Sequence, residues 1–186
     1  MRSQNPTKTH LSWLAPYFGL ILVFLFACVL SPVRRGWPVF IQIDNILDIV
    51  RQVSVRGILA VGMTFVIISG GIDLSVGSVL AMATVFASLS LTNWRMGTIA
   101  AIGITILSGA VAGFFNGVAI AKGRIQPFVV TLAMMSIARG LAMALSHNYT
   151  IPIHTDQNAF LLLEGLVWGI IPVPAILFLS IVAIFQ

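Results

Sequence analysis

The chain has 186 residues, 59% hydrophobic and only 8% charged, with a formal net charge of +5 and a mean hydropathy of +1.05. That apolar share exceeds what a soluble domain needs, and uncharged apolar runs of about 18 residues or more read as membrane spans. A single cysteine, Cys28, excludes a disulfide framework and a cysteine zinc site. The Lys and Arg residues sit mostly at the ends of the apolar runs, where they set topology and meet lipid headgroups, so no nucleic-acid partner is expected.

Residues 1–10 carry Arg2, Lys8 and His10 and read as a short cytoplasmic tail. Span one is expected at about Leu11 to Leu30. The stretch "SPVRRGWP" ends it, because Pro32 and Pro38 do not continue a helix. Asp44-Asn45 is placed to cap the next helix. Ile46, Leu47, Ile49, Val50 and Val53 then recur at helical spacing, with Asp48, Arg51, Gln52 and Ser54 largely on the other side. This pattern is an amphipathic lead-in at the membrane surface. The residues leave open whether it is continuous with span two, about Val53 to Ser69.

The next stretch, "ISGGIDLSVGS" (Ile68 to Ser78), places two glycines, an aspartate and two serines between apolar runs. Ser69-Gly70-Gly71 is a helix stop, since glycine takes the left-handed C-terminal conformation at little cost. Asp73 or Ser75 is placed to cap the helix that follows. Irregular backbone at membrane depth is tolerated where it is buried in protein or lines a cavity, and transporters build sites from such breaks. The local pattern fits both a tight polar turn near the interface and a packed break that shapes a translocation path. The ionisable Asp73 favours the second, which makes Gly70, Gly71, Asp73, Ser75 and Ser78 the candidate path residues.

Span three runs from this motif to about Leu91 and is closed by the interfacial Trp94. Span four, about Met96 to Ala121, carries Gly109, Gly113 and Gly117 as a small-residue ridge suited to helix packing, and the polar Asn116 beside it. Lys122-Gly123-Arg124 is a basic turn. Span five, about Gln126 to Leu145, contains Arg139, which reads equally as a partner for a group inside the bundle, such as Asp73, or as a side chain reaching an interface. Residues 146–164 form the longest polar connection, and span six is expected at about Leu166 to Phe185.

The fold class is therefore an all-α polytopic transmembrane bundle of about six spans, one membrane domain over residues 1–186, with a broken-helix motif between spans two and three. With the N-terminus inside, Lys122 and Arg124 are cytoplasmic and the 146–164 loop is extracytoplasmic. Arg34, Arg35 and Arg95 then lie outside, against the positive-inside trend.

No nucleotide-binding GxxxxGK[ST], no HExxH and no GxSxG occurs, so neither a catalytic site nor a metal site is expected. His147, His154 and Asp156 share the outer loop and read as solvated side chains. Two rival classes are a self-sufficient channel or facilitator and an intramembrane hydrolase using Ser136 and His147.

"AVGMTFVIISGGIDLSVGSVLAM" (Ala60 to Met82) resembles the signature of permease subunits of bacterial ABC importers for ribose and related sugars. "NILDIVRQVSVRGILAVGMT" and "VAIAKGRIQPFVVTLAMMSIARGLAM" resemble that family in the same order, and the resemblance covers Leu11 to Gln186. It implies a multi-pass protein of the bacterial inner (plasma) membrane. It also implies three partners: a second permease subunit, a cytoplasmic ABC ATPase and a periplasmic sugar-binding protein. The permease itself carries no cofactor, since ATP is used by the separate ATPase subunit. The outer loop becomes the expected docking surface for the binding protein. Family members are about twice as long, so the resemblance implies the N-terminal half of a permease. Ribose is the expected substrate class, with another pentose, a galactofuranose-like sugar or a sugar-derived signal as alternatives.

Overall fold

Apolar run length and the placement of Pro and Gly decide where the elements fall. The computed structural model describes residues 7–34, 36–153, 165–167 and 171–185. The chain divides into two compact units, residues 1–52 and 53–186.

In the first unit, α1 (Thr7–Leu30) is followed by a short hairpin of β1 (Val33–Arg34) and β2 (Trp37–Pro38), with Val33 opposite Pro38 and Arg34 opposite Trp37. The hairpin turns at Gly36, whose φ of +81° lies in the left-handed region. Phe24 on α1 meets Phe40 edge to face, with ring centroids 5.3 Å apart. A single 3-10 turn, Val39–Ile41, leads into α2 (Ile43–Ile68). Thr7 to His10 belong to α1, so the polar tail is shorter than residues 1–10. Asp44 lies inside the first turn of α2 and is not its cap; Asn45 instead donates back to the Phe40 carbonyl at 2.8 Å. The lead-in and span two form one continuous helix of 26 residues. Asp48 and Arg51 on its polar side form an ion pair at 2.7 Å.

In the second unit, α3 (Val76–Thr92) is the central helix and packs against both α4 (Thr98–Ala121) and α5 (Pro127–Ser146). Met82 of α3, Ala112 of α4, and Ala138 and Ala142 of α5 form its core, joined by Val79, Val85, Phe86 and Met134. Alanines at these positions let the helix backbones approach closely. The buried Ser90 hydroxyl donates to the Phe86 carbonyl at 2.7 Å, which satisfies it within its own helix.

The α4 face turned inward carries Ala101, Ala112 and Asn116. It is not the predicted ridge of Gly109, Gly113 and Gly117: a Cβ added at any of these would meet nothing within 4 Å. The ridge lies one residue, about 100° around the helix, from the packed face. Span six departs from its expected bounds. Leu166–Val167 (β3) pairs with Ile171–Pro172 (β4), and only Val173–Ile184 is helical, as α6. Pro172 and Pro174 fit only at the start of a helix, where a missing N–H costs nothing. Close packing of α6 is marked by Phe178, whose ring stands 2.6 Å from where a Cβ on Gly57 would be.

Among the described residues α2, α4 and α5 are long and apolar enough to cross a membrane, and Tyr17–Leu30, α3 and α6 are shorter apolar helices. The fold is an all-α helical membrane bundle.

The α4–α5 turn supplies a test of this packing. Lys122 and Gly123 donate to the Val118 carbonyl at 2.9 and 3.2 Å, and Ile125 donates to the Ala119 carbonyl at 3.4 Å. A Cβ on Gly123 would fall on that Ala119 oxygen. Gly123→Ala is expected to cost about 1–3 kcal/mol, read as a lowered unfolding temperature of the detergent-solubilised chain.

Candidate functional site

The site is built where α2 stops and α3 has not yet begun. Gly71 N–H donates to the Val66 carbonyl at 3.0 Å and Gly70 N–H to the Ile67 carbonyl at 2.9 Å, the paired bonds of a Schellman ending. Gly70 adopts φ +77°, which a residue with a Cβ reaches only under strain. Residues 71–75 are then non-helical.

Asp73 holds this segment together. Its Oδ1 accepts from the Ser75 backbone N–H at 2.7 Å and from the Ser75 hydroxyl at 2.6 Å. Ser75 stands at the N-cap position of α3, but its side chain caps no helical N–H. The expected cap is thus replaced by a carboxylate that turns the chain into the helix from two residues upstream. Ser75 is 1% exposed, and its carbonyl accepts from Val79 N–H and from the Ser78 hydroxyl, both at 2.8 Å.

Two other helices pin the segment. Asn116 Nδ2 on α4 donates to Ser75 Oγ at 3.2 Å, across 41 residues of sequence. The Thr131 hydroxyl on α5 donates to the Ile72 carbonyl at 3.1 Å, which satisfies a main-chain acceptor that lies outside any helix. Thr131 was not singled out in the sequence. Its only signal there is a hydroxyl five residues into an apolar helix that opens with Pro127.

The cluster lies between two cavities. One, of about 420 Å³, is lined by Ser69, Asp73, Asn116, Gly117 and Thr131 among others. The second, of about 270 Å³, shares Asp73, Gly113 and Asn116 and adds Ser75, Leu59 and Gly109. The glycine ridge of α4 therefore opens space beside the polar cluster. The missing side chains leave hollows along that face of α4.

Arg139 does not join the site. Its side chain is exposed, and among the described residues the one ion pair is Asp48–Arg51. Eight residues separate Arg139 from Thr131 on α5, about 12 Å along the axis, which keeps it from Asp73's level. Ser136 donates to the Leu132 carbonyl at 3.2 Å, and His147 lies roughly 16 Å further along the helix direction, so they form no catalytic pair. Among the described residues no group of His, Cys, Asp and Glu could hold a metal ion. His154 and Asp156 lie outside the described residues, as does most of the 146–164 loop.

Two variants test the construction. Asp73→Ala is expected to cost about 1–3 kcal/mol, because it strands the Ser75 N–H and hydroxyl. Asp73→Asn keeps the Oδ1 acceptor and should recover most of that loss in the same detergent unfolding measurement. Gly70→Val is expected to cost about 1–2 kcal/mol from left-handed strain alone.

Residues 45–185 match the family described as the branched-chain amino acid transport system / permease component. The ribose import permease protein RbsC of Haemophilus influenzae is 44% identical over 159 residues, 84% of this chain and 48% of that protein. RbsC of Bacillus subtilis is 37% identical over 164 residues, 88% and 48% of the two chains. The L-arabinose ABC transporter permease protein AraH of Azospirillum brasilense is 37% identical over 139 residues, 75% and 40%. The chain spans about half the length of these curated relatives. No solved structure matches it. A family match over three-quarters of its length, carried through the 68–78 break and the helices that pin it, means that the chain belongs to this family of membrane permeases, and among its relatives it is similar to the ribose-type sugar permeases.

Proposed function

We propose that this chain forms part of the translocation path of an ATP-driven importer of ribose or a related monosaccharide. The observation that carries the reading is the polar content of the larger cavity. Its lining includes the Asp73 carboxylate, the Asn116 amide and the hydroxyls of Ser69 and Thr131, and, among the described residues, no Lys or Arg. A neutral polyol suits that wall. An amino-acid zwitterion would set its ammonium on Asp73 but leave its carboxylate without a Lys or Arg among the described lining residues. The relatives named for ribose and arabinose support the same substrate class over the amino acid in the family's description.

In this reading the break at residues 71–75 is irregular backbone that lines a path, held by α4 and α5 so that it does not collapse. The chain acts with a second permease subunit, a cytoplasmic ABC ATPase that consumes the ATP, and a periplasmic sugar-binding protein, in the bacterial inner membrane. The permease does no covalent chemistry. With the N-terminus inside, the 71–75 break and the Lys122–Arg124 turn face the cytoplasm and the 146–164 loop faces the binding protein.

The test is purification from its native membrane through a tag on this chain, followed by sugar uptake in proteoliposomes. An ATPase is expected to co-purify, and ribose uptake is expected to need ATP and the binding protein. Uptake that persists without ATP would replace this reading with a facilitator. Competition by a branched-chain amino acid, with none by pentoses, would replace the sugar.

A further inference from the structure

One polar atom in the cluster has no partner. Asn116 is 8% exposed, and its Oδ1 is buried without a hydrogen bond. Its orientation is set by the network. The Ser75 hydroxyl gives its hydrogen to Asp73, so Ser75 Oγ is left to accept, and it accepts from Asn116 Nδ2. Turning the amide over would set two oxygens against each other. An acceptor stranded in this way is costly, and native proteins keep few of them.

The rest of the cavity wall is biased the same way. The Ser69 hydroxyl is spent on the Val66 carbonyl at 2.7 Å, and that of Thr131 on Ile72. Both hydrogen bonds to Asp73 end on Oδ1. Four side chains thus offer lone pairs to the cavity, against one spare amide hydrogen on Asn116. Val66, Ile72 and Ile120 supply apolar surface beside them. A wall of acceptors and aliphatic carbon fits a ligand that brings several hydroxyl hydrogens on a small carbon ring. The volume, about 420 Å³, is that of a small-molecule site. A hard cation would call for a tight cage of six or more oxygens.

We propose that Asn116 Oδ1 and the Asp73 carboxylate form a hydroxyl-accepting subsite for the transported monosaccharide, with Asn116 the residue that senses whether a hydroxyl is present. This inference rests on the sugar-permease reading and assigns that reading its first contact residue. Asp73, already tied to Ser75, fixes where Asn116 points. Asn116 takes the donor that the protein itself does not provide.

The experiment compares binding of ribose and of 2-deoxyribose to the full chain in lipid nanodiscs, by titration calorimetry, alongside uptake by the assembled importer. Wild type is expected to prefer ribose. Asn116→Leu is expected to weaken ribose by about tenfold, one hydrogen bond's worth, and to abolish the preference. Thr131→Val keeps the Ser75–Asn116 link and serves as the second variant, with a smaller loss of ribose affinity expected and the preference retained. If Asn116→Leu folds, transports ribose and still discriminates against 2-deoxyribose as wild type does, the subsite is overturned while the permease reading stands. If wild-type uptake shows no sugar dependence, the permease reading fails and the subsite with it. If sodium alone raises the unfolding temperature of wild type but not of Asn116→Leu, and ribose does nothing, the cavity is a cation site and the proposal is wrong.

Discussion

A polypeptide that leaves the helix where other helices pack against it must find a partner for each main-chain group it buries, and Asp73 is where this chain meets that demand. One carboxylate oxygen takes both the backbone N–H and the hydroxyl of Ser75. Around it, Gly70 and Gly71 return their N–H groups to α2, and Ile72 offers its carbonyl to Thr131. Each bond removes a desolvated polar group that would otherwise count against folding. A carboxyl oxygen is suited to the position because its two lone pairs accept from both donors at once.

The packing of the second unit follows from that arrangement. The break delays the start of α3, which then runs for 17 residues, at the short end of what crosses a bilayer. A short apolar helix is tolerable because α3 is central: α4 and α5 lie against it, and its buried residues are serines, Met82, Ala83, Leu89 and Leu91. Asn116 and Thr131 have two tasks in consequence. They belong to the helices that enclose α3, and they are the groups that anchor the irregular segment leading into it. Because the glycines of α4 sit beside Asn116 and carry no side chain, the enclosure is incomplete and cavities remain on two sides of the polar cluster.

Much of this was legible in the residues. Apolar run length located α3 to α5 to within a few positions, since hydrophobic thickness and helical rise leave little freedom, while α2 begins ten residues before the expected Val53. Ser69-Gly70-Gly71 announced the end of α2, because left-handed backbone at a helix end is a local property of glycine. Other signals were ambiguous at the level of sequence. Ser75 has the identity of a capping residue, yet its hydroxyl donates to a neighbour and caps nothing. Gly109, Gly113 and Gly117 have the spacing of a packing ridge, but a spacing cannot say which side of a helix faces a neighbour. Arg139 in an apolar run invited pairing with Asp73, and helical rise along α5 keeps the two apart. Pro172 and Pro174 shortened the last helix by more than apolar content implied.

The sequence by itself determined the class of protein, the approximate position of the central apolar helices, and the place where one helix yields to another. These depend on properties that act over a few residues or along one run: hydrophobicity, glycine conformation, the missing N–H of proline. Only the tertiary structure decided what surrounds the break. The link from Asn116 to Ser75 spans 41 residues and the link from Thr131 to Ile72 spans 59. No local preference encodes either bond, because each exists only once α3, α4 and α5 have packed in one particular rotation about their axes.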